Sequence, residues 1–112
     1  MASNRIGRIN EEIQRELSSL LRELKDPRVQ KGMVSITAVD TTPDLHQARV
    51  YVSVLDKEST AEVLKGLKSS AGYLRRELGR ALTLRHTPEL LFVMDDSIDK
   101  GTHILKLLNQ LD

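Results

Sequence analysis

The stretch Leu64–Pro88, LKGLKSSAGYLRRELGRALTLRHTP, decides how the rest of this 112-residue chain is read. Val63, Leu64, Leu67, Ala71, Leu74, Leu78 and Leu82 recur at three- and four-residue steps without a phase break, which predicts a helix. Ser59 followed by Glu62 has capping-box spacing and marks its start. The middle is weak. Ser69-Ser70-Ala71-Gly72 puts two serines and a glycine inside the stripe, and a glycine costs ~1 kcal/mol relative to alanine. A kinked helix pair is therefore expected rather than one straight helix. Leu84 to Pro88 reads as an exit loop, with Pro88 ending any helix. The stretch is also basic: Lys65, Lys68, Arg75, Arg76, Arg80 and Arg85 stand against Glu77 alone, a net of +5 in a chain whose total is +1.

Upstream, residues 5–25 carry Ile6, Ile9, Ile13, Leu17, Leu20, Leu21 and Leu24 in one stripe, an amphipathic helix with Asn4 placed as N-cap. Asp26-Pro27 ends it, because the residue before proline avoids the helical region. Residues 26–32 read as a turn. Residues 33–40 read as a strand with Val34, Ile36 and Ala38 on one face. After a loop over 41–45, residues 46–54 alternate again, with Ala48, Val50, Val52 and Val54 on one face. The short connection predicts an antiparallel hairpin. Downstream, residues 89–95, ELLFVMD, read as a third strand buried on at least one face. Asp95-Asp96-Ser97 makes a turn, and Ile98, Leu105, Leu108 and Leu111 fall in phase for a last helix over 98–111.

Composition sets outer bounds. The length suits one domain, residues 1–112, and 39% apolar with 29% charged residues is an ordinary globular balance. With no cysteine, disulfides and thiolate metal sites are excluded. No apolar run approaches the ~20 residues of a membrane span, and the N-terminus lacks a signal-type apolar core, so a cytoplasmic protein away from membranes is expected. Tyr51, Tyr73 and Phe92 are the only aromatics, too few for a broad base-stacking sheet. The segments flanking the basic stretch sum to −2 (residues 26–64) and −3 (residues 87–112), so one face can bind a polyanion while others repel it.

At ~100° per residue, Arg75, Arg76 and Arg80 avoid the stripe of Leu74, Leu78 and Leu82. Exposed guanidiniums have phosphate as their natural partner, because they offer paired donors. Lys65 and Lys68 precede them on the same segment. In the first helix, Arg8, Arg15 and Arg22 share a flank. Arg15 and Arg22 have Glu11, Glu12, Glu16 and Glu23 to pair with, which leaves Arg5 and Arg8 as further contact candidates. Gly72 serves either helix packing or a close backbone approach, and Tyr73 either base stacking or core packing. His46, His86 and His103 fall on different predicted elements, and neither H-x-x-x-H nor H-E-x-x-H occurs, so zinc chemistry has no support and no metal or cofactor is expected. A ribonuclease would need a histidine or lysine pair converging with an acid. No Gly-rich phosphate loop is present.

The element order gives an α+β layout, a three-stranded sheet with helices on one face. It is also the order of a type II KH domain, an RNA-binding module whose G-x-x-G loop lets its backbone approach nucleic acid. Glycines stand at 66, 72, 79 and 101 in the second half, and no G-x-x-G occurs. Ser70-Ala71-Gly72-Tyr73-Leu74-Arg75, Leu78-Gly79, Leu84-Arg85, Thr87-Pro88-Glu89-Leu90, Phe92, Asp95-Asp96-Ser97-Ile98, the Leu24-Lys25-Asp26-Pro27-Arg28 turn and the Ala48-Arg49-Val50-Tyr51-Val52 strand together resemble the bacterial ribosome-binding factor A family. The resemblance covers essentially the whole chain. It implies a KH-like domain with an Ala-x-Gly kink in place of the G-x-x-G loop, its first position here being Ser70. It further implies a non-catalytic cytoplasmic assembly factor that binds the immature small (30S) ribosomal subunit and its rRNA. Such a factor promotes late maturation and rRNA end processing, is released with the help of a ribosome-assembly GTPase, and is associated with cold adaptation. A monomer is expected. The competing reading is a protein-interaction domain that docks its basic helix on an acidic partner.

Overall fold

The computed structural model describes residues 2–95. The helix expected over 98–111 and His103 lie outside the described residues. The first helix, α1, runs Ala2–Glu23, so it begins before Asn4 and that residue is not its cap. Its stripe buries Ile9, Ile13, Leu17, Leu20 and Leu21. Residues 26–32, expected as a turn, contain a short helix, α2, Pro27–Gly32. Asp26 is its N-cap: the backbone is extended there and the carboxylate accepts the Arg28 N–H at 2.9 Å. Pro27 stands at the start of the helix, where its missing N–H and fixed φ cost nothing. An Asp-Pro pair therefore stops one helix and starts the next.

Strand β1, Val34–Thr41, pairs antiparallel with β2, Gln47–Val54, as the hairpin pattern predicts. A register shift lies between Ile36 and Ala38, with Thr37 as the extra residue. This bulge reverses the alternation, so Val39 and Thr41 are buried and Ala38 only half-buried, against the expected shared face of Val34, Ile36 and Ala38. Thr37 is turned outward, and its hydroxyl donates to Asp95 at 2.6 Å. In β2 the expected residues, Ala48, Val50, Val52 and Val54, are all buried. Strand β3, Glu89–Met94, pairs parallel with β2, giving a mixed sheet in the order β1-β2-β3.

After a 3-10 turn, Lys57–Ser59, a single helix α3 spans Thr60–Ala81. The expected capping box is absent: the Ser59 hydroxyl donates to the Asp56 carboxylate at 2.7 Å instead of serving the helix. The expected helix pair is also absent, because hydrogen bonding continues through Ser69–Gly72. Packing accounts for this. Val63, Leu67, Leu74 and Leu78 are fully buried on both sides of the weak segment, and each such side chain contributes about 1.5–3 kcal/mol on burial, against ~1 kcal/mol for the glycine. Helices α1 and α3 share one core with Val50, Val52 and Phe92 of the sheet. No described helix is long and apolar enough to cross a membrane. The result is the α+β layout read from the sequence, and it is consistent with a KH-like domain.

Candidate nucleic-acid interface

Helix α3 presents its outer face as a line of cations around bare backbone. Lys65, Lys68, Gly72 and Arg76 are all exposed. Lys65, Gly72 and Arg76 fall within about 40° of one another on the helix, opposite the buried Leu67, Leu74 and Leu78. The line from Lys65 to Arg76 is about 16 Å long. A Cβ added at Gly72 would meet nothing within 4 Å. Internal helix packing is therefore not what Gly72 serves. The other glycines of α3 differ. A Cβ at Gly66 would lie 3.0 Å from Val29 and 3.2 Å from the Asp26 carboxylate, so its absence lets α2 settle on α3. A Cβ at Gly79 would lie 2.9 Å from the Thr87 hydroxyl, so this glycine admits the exit loop.

The basic side chains have distinct roles. Arg75 donates from Nε and Nη2 to the Thr87 carbonyl at 3.1 and 2.9 Å, which ties α3 to the exit loop. Arg80 pairs with Glu77 at 3.2 Å, both on the surface, where such a pair contributes little. Lys65, Lys68 and Arg76 form no ion pair among the described residues, which leaves them the free cations of the face. Tyr73 is 48% exposed, so core packing is excluded for it. It lines a groove of about 400 Å³ with Ser70, Glu23, Leu24, Lys25 and Asp26, between α3 and the end of α1. Ala71 is half-buried against the core.

Arg5 and Arg85 meet elsewhere, in a concavity of about 590 Å³ at the end of the molecule where α1 begins. Arg8 is exposed but does not line it. The expected contact residues are thus split: Lys65, Lys68, Arg76 and Arg80 are exposed on α3, Arg5 and Arg85 line this end, Arg75 lines a second concavity beside it, and Arg8 is exposed on α1 apart from both. The end also brings together two residues that sequence reading left apart. The parallel register Gln47↔Glu89 sets the starts of β2 and β3 side by side, and the rings of His46 and His86 stand 4.8 Å apart, tilted by 47°. The His46 backbone is held at both ends: its N–H donates to Asp44 at 3.0 Å and its carbonyl accepts the Glu89 N–H at 2.8 Å. The His46 N–H and the Thr42 hydroxyl hold the Asp44 carboxyl below the usual carboxylate range. Among the described residues, no group of three or more histidines and acids is placed to hold a metal.

Residues 5–108 match the family described as ribosome-binding factor A. The chain belongs to the ribosome-binding factor A family. A family member from Clostridium tetani is 50% identical over 113 residues, covering 99% of this chain and 93% of that one. The crystal structure of ribosome-binding factor A from Thermus thermophilus superposes with a TM-score of 0.71 at 25% identity, over 80% of this chain and 94% of that one. A Thermus thermophilus homology model of the family, fitted into a cryo-EM map of a 30S complex, gives a TM-score of 0.62 at 27% identity, over 75% of this chain and 88% of that one. The matched span takes in α2, α3 and the whole sheet, which accounts for the agreement between the expected and observed fold.

Proposed function

We propose that this protein is a ribosome assembly factor that binds the small ribosomal subunit and its rRNA, acting by docking rather than catalysis. The observation that carries this reading is the outer face of α3, where Lys65, Lys68 and Arg76 surround a glycine with open space above it. Phosphate is the partner that rewards free cations, and a missing side chain lets a ribose-phosphate backbone approach the helix closely. The Thermus thermophilus relative fitted into a 30S complex supports the choice of subunit. In this reading Arg80, Arg85, Arg5 and Arg8 add flanking phosphate contacts, and Tyr73 offers a ring for stacking on an unpaired base. The protein acts as a cytoplasmic monomer in late maturation and rRNA end processing, with a GTPase assisting its release and its need rising in the cold.

Co-sedimentation with purified small and large subunits tests this. The protein should pellet with small subunits and stay in the supernatant with large ones. Equal pelleting with both, or with neither, would contradict the reading.

A further inference from the structure

The end of the molecule carries a second arrangement that the α3 face does not use. Arg5 of α1, Asp44 and His46 of the β1–β2 turn, and Arg85 and His86 of the exit loop line one concavity. Both imidazoles are exposed, and the backbone that carries them is anchored. The His46 main chain makes two hydrogen bonds, and His86 precedes Thr87, whose carbonyl Arg75 grips. Two guanidiniums against the Asp44 carboxylate leave the concavity at +1 with neutral imidazoles and +3 with both protonated. The adjoining concavity adds Arg75 from α3 and Glu89 from β3, which cancel. Two imidazolium rings with centroids 4.8 Å apart repel each other, so a ligand that favours their charged forms must be an anion. Four donor side chains on a concave surface suit tetrahedral phosphate oxygens.

We propose that His46 and His86, with Arg5 and Arg85, form a phosphodiester-binding site that tightens on RNA as the two imidazoles take up protons. This rests on the RNA-binding reading above and adds a second contact and its regulation. Imidazole changes charge between about pH 5 and 8, whereas a phosphodiester keeps one negative charge throughout, so the pH response belongs to the protein.

The test is the affinity of the full chain for dodecauridylate carrying a pH-insensitive dye, read by fluorescence anisotropy. Kd should fall about tenfold between about pH 8 and about pH 5.5, the scale of one or two charge-assisted contacts. The double variant His46→Gln, His86→Gln should lose the pH response, its Kd staying level between about pH 8 and about pH 5.5. Binding that is flat with pH in the wild type, or a slope that persists in the double variant, would overturn this inference and leave the RNA-binding reading standing. Absence of binding at every pH would overturn both. A readout on the unmodified protein guards against misfolding of the variant. By linkage, the His46 and His86 titration midpoints followed by NMR should rise when dodecauridylate is added, and midpoints that do not move would also overturn it.

Discussion

The Arg75 guanidinium grips the Thr87 carbonyl with two hydrogen bonds, 3.1 Å from Nε and 2.9 Å from Nη2. One of the arginines expected to face RNA is thereby a brace between α3 and the exit loop. The loop it braces carries Arg85 and His86 and leads into the buried Pro88 and the start of β3. Truncating Arg75 to alanine should cost ~1 kcal/mol of stability, the scale of a surface charge-assisted hydrogen-bond pair. Arg76→Ala, with no such partner, should stay within about 0.5 kcal/mol of wild type. Urea unfolding of the two variants side by side measures the difference, and equal stabilities would remove the bracing role.

Gly72 and Gly79 make a matched pair on one helix. Alanine at Gly72 enters open space, so Gly72→Ala should stabilise α3 by about 0.5–1 kcal/mol through helix propensity. Alanine at Gly79 meets the Thr87 hydroxyl at 2.9 Å, so the same gain is offset by displacement of the exit loop. Gly72→Ala should therefore melt above wild type and Gly79→Ala at least ~1 kcal/mol below Gly72→Ala. If bare backbone at Gly72 is where RNA approaches, the more stable protein should also bind small subunits more weakly. Stability and binding moving in opposite directions is an outcome that a purely structural glycine does not produce.

Acid should loosen the α1–α2 corner. Side-chain hydrogen bonds from Arg28, Nε at 3.1 Å and Nη2 at 2.9 Å, hold the Asp26 carboxyl below the usual carboxylate range, opposed by partial burial and aided by backbone N–H donors. A carboxylate with a lowered folded value stabilises the protein at neutral pH and loses that contribution as pH falls through the folded value. The loss should fall below about pH 4, where an unfolded aspartate is already taking up protons. Asp26→Asn keeps a capping side chain but no ion pair with Arg28. Its melting temperature should drop less than that of wild type between neutral pH and about pH 3. Parallel curves for the two proteins would show that this carboxylate does not couple to folding.

Much of the fold was legible because its signals were periodic. The unbroken stripe of α3, the alternation of β2 and the short apolar run of β3 each named their element. What sequence reading missed came from packing. The penalties at Ser69, Ser70 and Gly72 argued for two helices, yet Leu67 and Leu74 are buried on either side and hold one together. The Thr37 bulge is invisible in a chain read residue by residue, since the phase of β1 changes only where it meets β2. Asp26-Pro27 carried a helix start that its role as a helix stop concealed. Charge count pointed to α3 as the candidate face, but two of its arginines have other partners, Thr87 and Glu77. The His46–His86 contact needed the parallel pairing of β2 with β3, a relationship between strands 42 residues apart in register, Gln47 with Glu89.

The free cations along α3 are proposed to hold the small subunit. Co-sedimentation of the triple variant Lys65→Glu, Lys68→Glu, Arg76→Glu with purified small subunits across a salt series tests this contact. All three side chains are exposed and outside the core, so the variant should fold as wild type does. Wild-type binding should weaken linearly on a log–log salt plot, and the variant should lose binding with a slope shallower by about three, one for each phosphate contact removed. A folded variant that sediments with small subunits as wild type does, with the same salt slope, would show that these cations do not hold the subunit.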